Sequence, residues 1–240
     1  MLILNRNGGK KMKKWKNIVL LGLTFLIIIS TMTGYAQQLT REEERIVHSM
    51  DVFRKMVDRE NQAESISELL QHARGIAIFP KLTKIGFGIG VQFGEGLVMR
   101  KDQQSEQWYG PAFIEIKTAS VGPQIGIQDV SLVLIIMDEK GMEGFKKTDY
   151  EIGANISISP GPTKDSLQKG LDFNDSIYTY SYSEGLYAGF TLEGSVIHAD
   201  RSANEQFYGT EMTGEEILDT REPNNESALK LIIEIEQISK

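Results

Sequence analysis

The 240-residue chain has no cysteine and only three histidines and six prolines. Without cysteine there is no thiol nucleophile, no thiolate metal site and no disulfide, so the fold must hold itself by its core. His48, His72 and His198 include no pair at the short spacing of H-E-x-x-H, and each reads as a solvated side chain. The Gly-Lys-Ser/Thr of a phosphate loop is missing, as is a G-x-S-x-G nucleophile elbow. "DFNDS" at 172–176 starts like a calcium loop but lacks the glycine and the closing glutamate. No catalytic residue, metal or cofactor is assigned, and an enzyme is not expected.

Positive charge is also scarce. Against 33 Asp and Glu there are 26 Lys and Arg, a formal charge of −7. A nucleic-acid binder draws most of its affinity from a basic footprint, so that class of partner is excluded. Six of the basic residues fall within the first 16 positions. "KKMKKWKN" precedes the apolar run "IVLLGLTFLIIIS" and then "TMTGYA", with small residues at Gly34 and Ala36. This is the pattern of a signal peptide, with Met12 as the natural start and cleavage after Ala36; an uncleaved anchor is the competing reading. Removing residues 1–36 takes away six basic and no acidic residues, which leaves −13. The expectation is an exported protein, periplasmic or secreted, with one domain over 37–220 and a polar link and helix over 221–240.

Periodicity organises the remainder. Thr40 with Glu43 fits a capping box. Ile46, Met50, Phe53 and Val57 recur at helical spacing, within about 60° of one another on a helical projection. Ser65 with Glu68 suggests a second box before Ile66, Leu69, Leu70 and Ala73, and Gly75 ends that helix. From Ile76 the period becomes two. In "IGFGIGVQFGEGL" (85–97), Ile85, Phe87, Ile89, Val91 and Phe93 alternate with Gly86, Gly88, Gly90, Gln92 and Gly94. A strand puts these on opposite faces, one bulky and one nearly bare. The spacing does not give G-x-G-x-x-G, so this is no dinucleotide loop. The bare face at Gly86, Gly88 and Gly90 lets another backbone, a helix or a ligand come close.

Further strands are expected at "WYGPAFIEIK", "SVGPQIGIQ", "VSLVLIIM", "YEIGANISIS", "SIYTYSYS" and "LYAGFTLEGSVI", with helices at "DEKGMEGFKK", after Thr213 and from Ser227 to Ile238. Turn signals every 8–12 residues or so point to an α+β fold: a mostly antiparallel β-barrel-like or sandwich domain with N-terminal amphipathic helices and a C-terminal helix.

The run "LLQHARGIAIFPKLTKIGFGIGVQFGEGLV", followed by "WYGPAFIEI", "SVGPQIGIQDVSLVLIIM", "YSYSEGLYAGFTLEGSVI" and "NEQFYG", resembles the SYLF domain from about Ile46 to Leu218. That lipid-binding family is also known as the yeast actin-binding domain family. The resemblance implies a barrel-like domain with flanking helices, and phosphoinositide-membrane binding through an N-terminal amphipathic helix. On this basis the lipid-contacting candidates are Ile46, Met50, Phe53 and Val57 on the helix, with Lys81, Lys84, Arg100 and Lys101 for headgroups. The expected helix departs from the family in charge, with six Arg/Lys against eight Asp/Glu between Arg41 and Arg74. The expected partner is a lipid or membrane surface, with actin unlikely, protein partners unknown and a structural or protein-interaction module of the envelope as the alternative. A lipid-acting hydrolase is a third reading.

Overall fold

The computed structural model describes residues 38–59, 62–153, 156–164, 173–183, 192 and 194–239. The expected leader, residues 1–36, and most of the expected strand "LYAGFTLEGSVI" lie outside the described residues. Leu39–Lys240 form one compact unit. Among the described residues the chain runs α1 (Arg41–Val57), α2 (Ala63–His72), β1 (Gly75–Lys101), β2 (Trp108–Ile136), α3 (Glu139–Lys146), β3 (Asp149–Glu151), β4 (Ile158–Pro160), β5 (Ile177–Tyr182), β6 (Val196–Ala199), α4 (Arg201–Tyr208), α5 (Gly214–Thr220) and α6 (Glu226–Ile238). The expected α+β class with a mostly antiparallel, barrel-like sheet is borne out.

Local signals explain most helix ends. The capping box at Thr40 and Glu43 is complete, with the Thr40 hydroxyl accepting from the Glu43 N–H and the Glu43 carboxylate accepting from the Thr40 N–H. The second box is corrected. α2 begins three residues early, after Gln62, and the Ser65 hydroxyl donates to the Gln62 carbonyl instead of capping. Asp138, Asp200, Thr213 and Asn225 cap α3 to α6. α4 was not expected from sequence: its eight residues "RSANEQFY" bury only Ala203 and Asn204, too few for a periodic signal.

The sheet departs from the expectation in one instructive way. What reads as several short strands is two long ones, paired antiparallel from Gly75↔Ile136 to Lys101↔Trp108 around the 102–107 turn. Glycines and polar residues that look like breaks are absorbed as register shifts after Phe79, Phe87 and Val98. β5 and β6 add to the C-terminal and N-terminal parts of β2, and β4 and β3 extend the two ends. Among its described residues, "YEIGANISIS" contributes to the short β3 and β4.

β1 also folds back on itself. A Cβ on Gly94 would overlap the Lys81 carbonyl oxygen; one on Gly96 would stand 2.6 Å from the Ile78 oxygen, and one on Gly75 2.5 Å from the Met99 oxygen. Only glycine permits backbones this close. The first and last thirds of the strand therefore touch, and both faces of the sheet are buried there. Ile76, Ile78, Val133 and Ile135 face α1, α2 and α6 in one core; Ala77, Phe79, Leu132, Leu134 and Ile136 join α3 and α5 in the other. This double burial is why "VSLVLIIM" is apolar throughout. No helix among the described residues is long and apolar enough to cross a membrane.

Candidate interaction surface

The helix stripe is inside the protein. Ile46 and Phe53 are fully buried and Val57 nearly so, while Met50 packs partly buried against the same core. α1 thus turns its apolar side to the sheet and leaves its polar face outward, with Arg41, Glu44, His48, Asp51 and Lys55 exposed.

Between that polar face and the hairpin runs a groove of two adjoining cavities, of about 610 and 330 Å³, which share His48, Pro80 and Lys81. The β1 bulge makes it. Pro80 has no N–H to donate, the register slips by one residue between Phe79 and Leu82, and Lys81 is carried into the groove. The Lys81 ammonium lies 3.0 Å from Asp129, which also accepts from the Thr83 hydroxyl at 2.7 Å. First Thr83 and then Lys81 hold the Asp129 carboxyl below its usual range.

A buried clamp supports the smaller cavity. Arg45, 5% exposed, donates to Glu95 at 2.7 Å and to Asp200 at 2.9 Å, and its guanidinium lies over the Phe113 ring at 5.2 Å. Arg41 reaches the other Glu95 oxygen at 2.5 Å. Two cations meet two carboxylates, and Asp200 also caps α4. α1, β1 and α4 are tied at one point. Sequence reasoning passed over this clamp because its members lie 50 and 155 residues apart and nothing local marks them.

The alternating strand shows its bulky side to solvent. Ile85 is 44% exposed, Val91 48% and Phe93 44%, and Ile127, which pairs with Ile85, is 75% exposed. Phe93 lines the smaller cavity and Ile127 the larger, so each cavity has an exposed apolar side chain of the hairpin in its wall. Gly86, Gly90 and Gln92, of opposite parity, are buried. Gly86 stands opposite Gly126, and Gly88 falls in the register shift between Phe87 and Ile89.

The four candidate headgroup cations do not converge. Lys81 lines the groove and Lys84 neighbours Ile85. Arg100 lies beside the 102–107 turn, over the Tyr109 ring and 3.6 Å from both Asp102 and Asp219. Lys101 lines a separate cavity with Glu106. His198 is not simply solvated: its Nδ1 lies 2.6 Å from Asp149 across the β3–β6 pair.

Comparison with known proteins fits this architecture to a family. Residues 117–238 match the Ysc84 profile, described as "Las17-binding protein actin regulator". The chain is similar to Protein YSC84 of Saccharomyces cerevisiae, with 31% identity over 158 residues, covering 64% of this chain and 33% of that protein. It is similar to LAS seventeen-binding protein 3 of the same yeast, with 31% identity over 159 residues, covering 64% and 34%. The bovine SH3 domain-containing YSC84-like protein 1 is 29% identical over 155 residues, covering 63% and 45%. The match therefore spans about a third of the yeast relatives and under half of the bovine one. No solved structure matches the chain. The expectation of a lipid or membrane partner, with actin unlikely, is corrected by the family description, which names Las17 and actin regulation, and by the yeast relative named as a LAS seventeen-binding protein. That expectation leaned on the α1 stripe, and burial in the core occupies those side chains. With a profile matching more than half of its 240 residues, the chain belongs to the Ysc84 family.

Proposed function

We propose that this domain is a non-catalytic module that binds a protein of the actin-regulating machinery, through the groove between α1 and the bulged hairpin. The observation that carries the reading is the apolar wall of the groove: Phe93 and Ile127 stand exposed in its two cavities, with Val91 and Ile85 exposed on the same hairpin. Scattered single apolar residues on a surface are ordinary, whereas apolar side chains lining a groove with a polar border suit a binding site. The surroundings suit a protein partner. An apolar centre is bordered by the Lys81–Asp129 and Arg41–Glu95 pairs, the arrangement of a desolvated core with a polar rim. The partner class comes from the family description and from the relative named as a LAS seventeen-binding protein.

Co-sedimentation with actin filaments, and capture by immobilised Las17, test the reading. The full chain is expected to bind at least one of them, and the double variant Phe93→Ser with Ile127→Ser to lose that binding with an unchanged melt. Absence of binding to both would refute the partner class. Retention by the double variant would move the contact away from this groove.

A further inference from the structure

The ion pairs around the smaller cavity of the groove are unequal in what they can release. Arg41, on the α1 wall, and Lys81, on the hairpin wall, are its exposed cations, at 70% and 67%. Each is paired with a carboxylate that has a second donor. Glu95, the partner of Arg41, also accepts from Arg45 at 2.7 Å. Asp129, the partner of Lys81, also accepts from the Thr83 hydroxyl at 2.7 Å. When either cation swings away, its carboxylate keeps one hydrogen bond, and both carboxylates are exposed enough to regain water. In agreement, Thr83 outweighs Lys81 in holding the Asp129 carboxyl below its usual range.

Glu95 has no such freedom. It could turn to a cationic ligand only by leaving Arg45, whose buried side chain would keep Asp200 alone. Breaking one arm of a buried pair is costly, whereas an exposed pair contributes little and is readily exchanged. Glu44 is the one carboxylate lining this cavity that makes no ion pair among the described residues, and it is exposed on α1. The charges of the smaller cavity that are free to meet a ligand are therefore two cations, Arg41 and Lys81, against one carboxylate, Glu44.

We propose, resting on the reading of the groove as a protein-binding site, that its smaller cavity receives an acidic segment of the partner: two neighbouring Asp or Glu side chains with an apolar residue beside them. One carboxylate would take Arg41 and the other Lys81, and the apolar side chain would cover Phe93, which stands exposed in the same cavity. Two single charges fit better than one dense dianion such as a phosphate. The two cations stand on opposite walls, and Glu44 opposes a concentrated negative charge. A Lys- or Arg-rich segment is disfavoured, because beyond the exposed Glu44 it would have to draw Glu95 from the buried Arg45.

The test uses the full chain and a fluorescent peptide of about eight residues, roughly 25 Å when extended, that carries a phenylalanine beside two glutamates. The controls replace both glutamates by glutamine, both by lysine, or the pair by a single phosphoserine. Fluorescence anisotropy should show the glutamate peptide binding, more weakly as salt rises, and the glutamine and lysine peptides binding at least about tenfold more weakly. Arg41→Gln and Lys81→Gln should each weaken binding several-fold with unchanged melts, and Glu44→Gln should tighten it. Lys101→Gln, which removes the same charge from a separate cavity, should leave it unchanged. The proposal is overturned by a lysine peptide that binds as well, by a phosphoserine peptide that binds more tightly, or by no binding at all. Binding indifferent to the Arg41 and Lys81 variants overturns it too. Capture of Las17 or actin that needs Phe93 and Ile127 but survives Arg41→Gln with Lys81→Gln would keep the groove and remove the acidic site. Peptide binding as expected, without capture of either protein, would keep the acidic site and refute the partner class.

Discussion

Phe53 and Phe93 are a matched pair for testing this architecture, since both sit in apolar patterns legible in the sequence and end up in opposite environments. Phe53 is fully buried among the residues joining α1, α2 and α6 to the sheet, and Phe93 is 44% exposed at the groove. Truncating a buried phenylalanine to alanine removes its transfer free energy and leaves a cavity, which together cost about 3–5 kcal/mol. For a domain of this size each kcal/mol lowers Tm by about 2–4 °C, so Phe53→Ala should melt roughly 6–20 °C below the parent. Phe93→Ala removes a ring that already meets water over almost half its area. Its cost should stay near the surface range of about 0.5 kcal/mol, a shift of at most a few degrees. Paired thermal melts by circular dichroism decide the matter, with co-sedimentation as the second readout. Phe93→Ala should weaken partner binding in a protein that melts normally. If Phe53→Ala melts with the parent, or Phe93→Ala falls as far as Phe53→Ala, the placement of α1 against the sheet is refuted.

Arg45→Met removes the centre of the clamp, leaving Glu95 with Arg41 alone and Asp200 with no cation. Breaking a buried pair costs about 3–5 kcal/mol; since Glu95 is 40% exposed, about 2–3 kcal/mol is expected here, and a urea midpoint within 1 kcal/mol or so of the parent would count against the clamp. Arg45→Lys should recover little, because an ammonium cannot span both carboxylates as the planar fork does. Gly96→Val should destabilise by about 1–3 kcal/mol through contact with the Phe79 ring and the Ile78 carbonyl, and an unchanged unfolding midpoint would show that β1 is not folded back on itself. The pH profile should be a plateau with losses at both ends. Glu43 and Glu216, held low chiefly by the backbone N–H groups they cap, and Glu234, held low by Arg54, have depressed folded pKa values. Their contribution is complete above the ordinary value of 4.5 and disappears as pH falls through the folded values. Burial pushes Tyr150 and Tyr180 up to about 12, so stability held below pH 10 should decline as pH rises toward 12. Melts between pH 3 and 12, taken in steps of about one unit, check the signs, and a stability that rises on acidification below 4.5 would contradict them.

What the sequence by itself determined was whatever is encoded within a few residues. The Thr40–Glu43 box, the stripe from Ile46 to Val57, the two-residue period of 85–93 and the apolar run before Met137 each state a local conformation, because caps and periodicities act over one or two turns or a few pleats. The glycine-punctuated blocks were also enough to place the chain in its family. Tertiary structure alone decided which way those faces point. A stripe of four apolar residues is the same pattern whether it meets lipid or a core, and only the sheet lying against α1 makes it core. An alternating strand has two faces, and only the fold-back of β1 at Gly94 and Gly96 turns the bare one inward and the bulky one to solvent. Strands that read as separate segments are continuous because hydrogen bonds from a partner strand carry the backbone through its bulges, and that pairing is long-range. Arg45, Glu95 and Asp200 meet for the same reason: 50 and 155 residues of chain separate them, and only the packing of α1 on the hairpin and on α4 brings their charges within hydrogen-bonding distance.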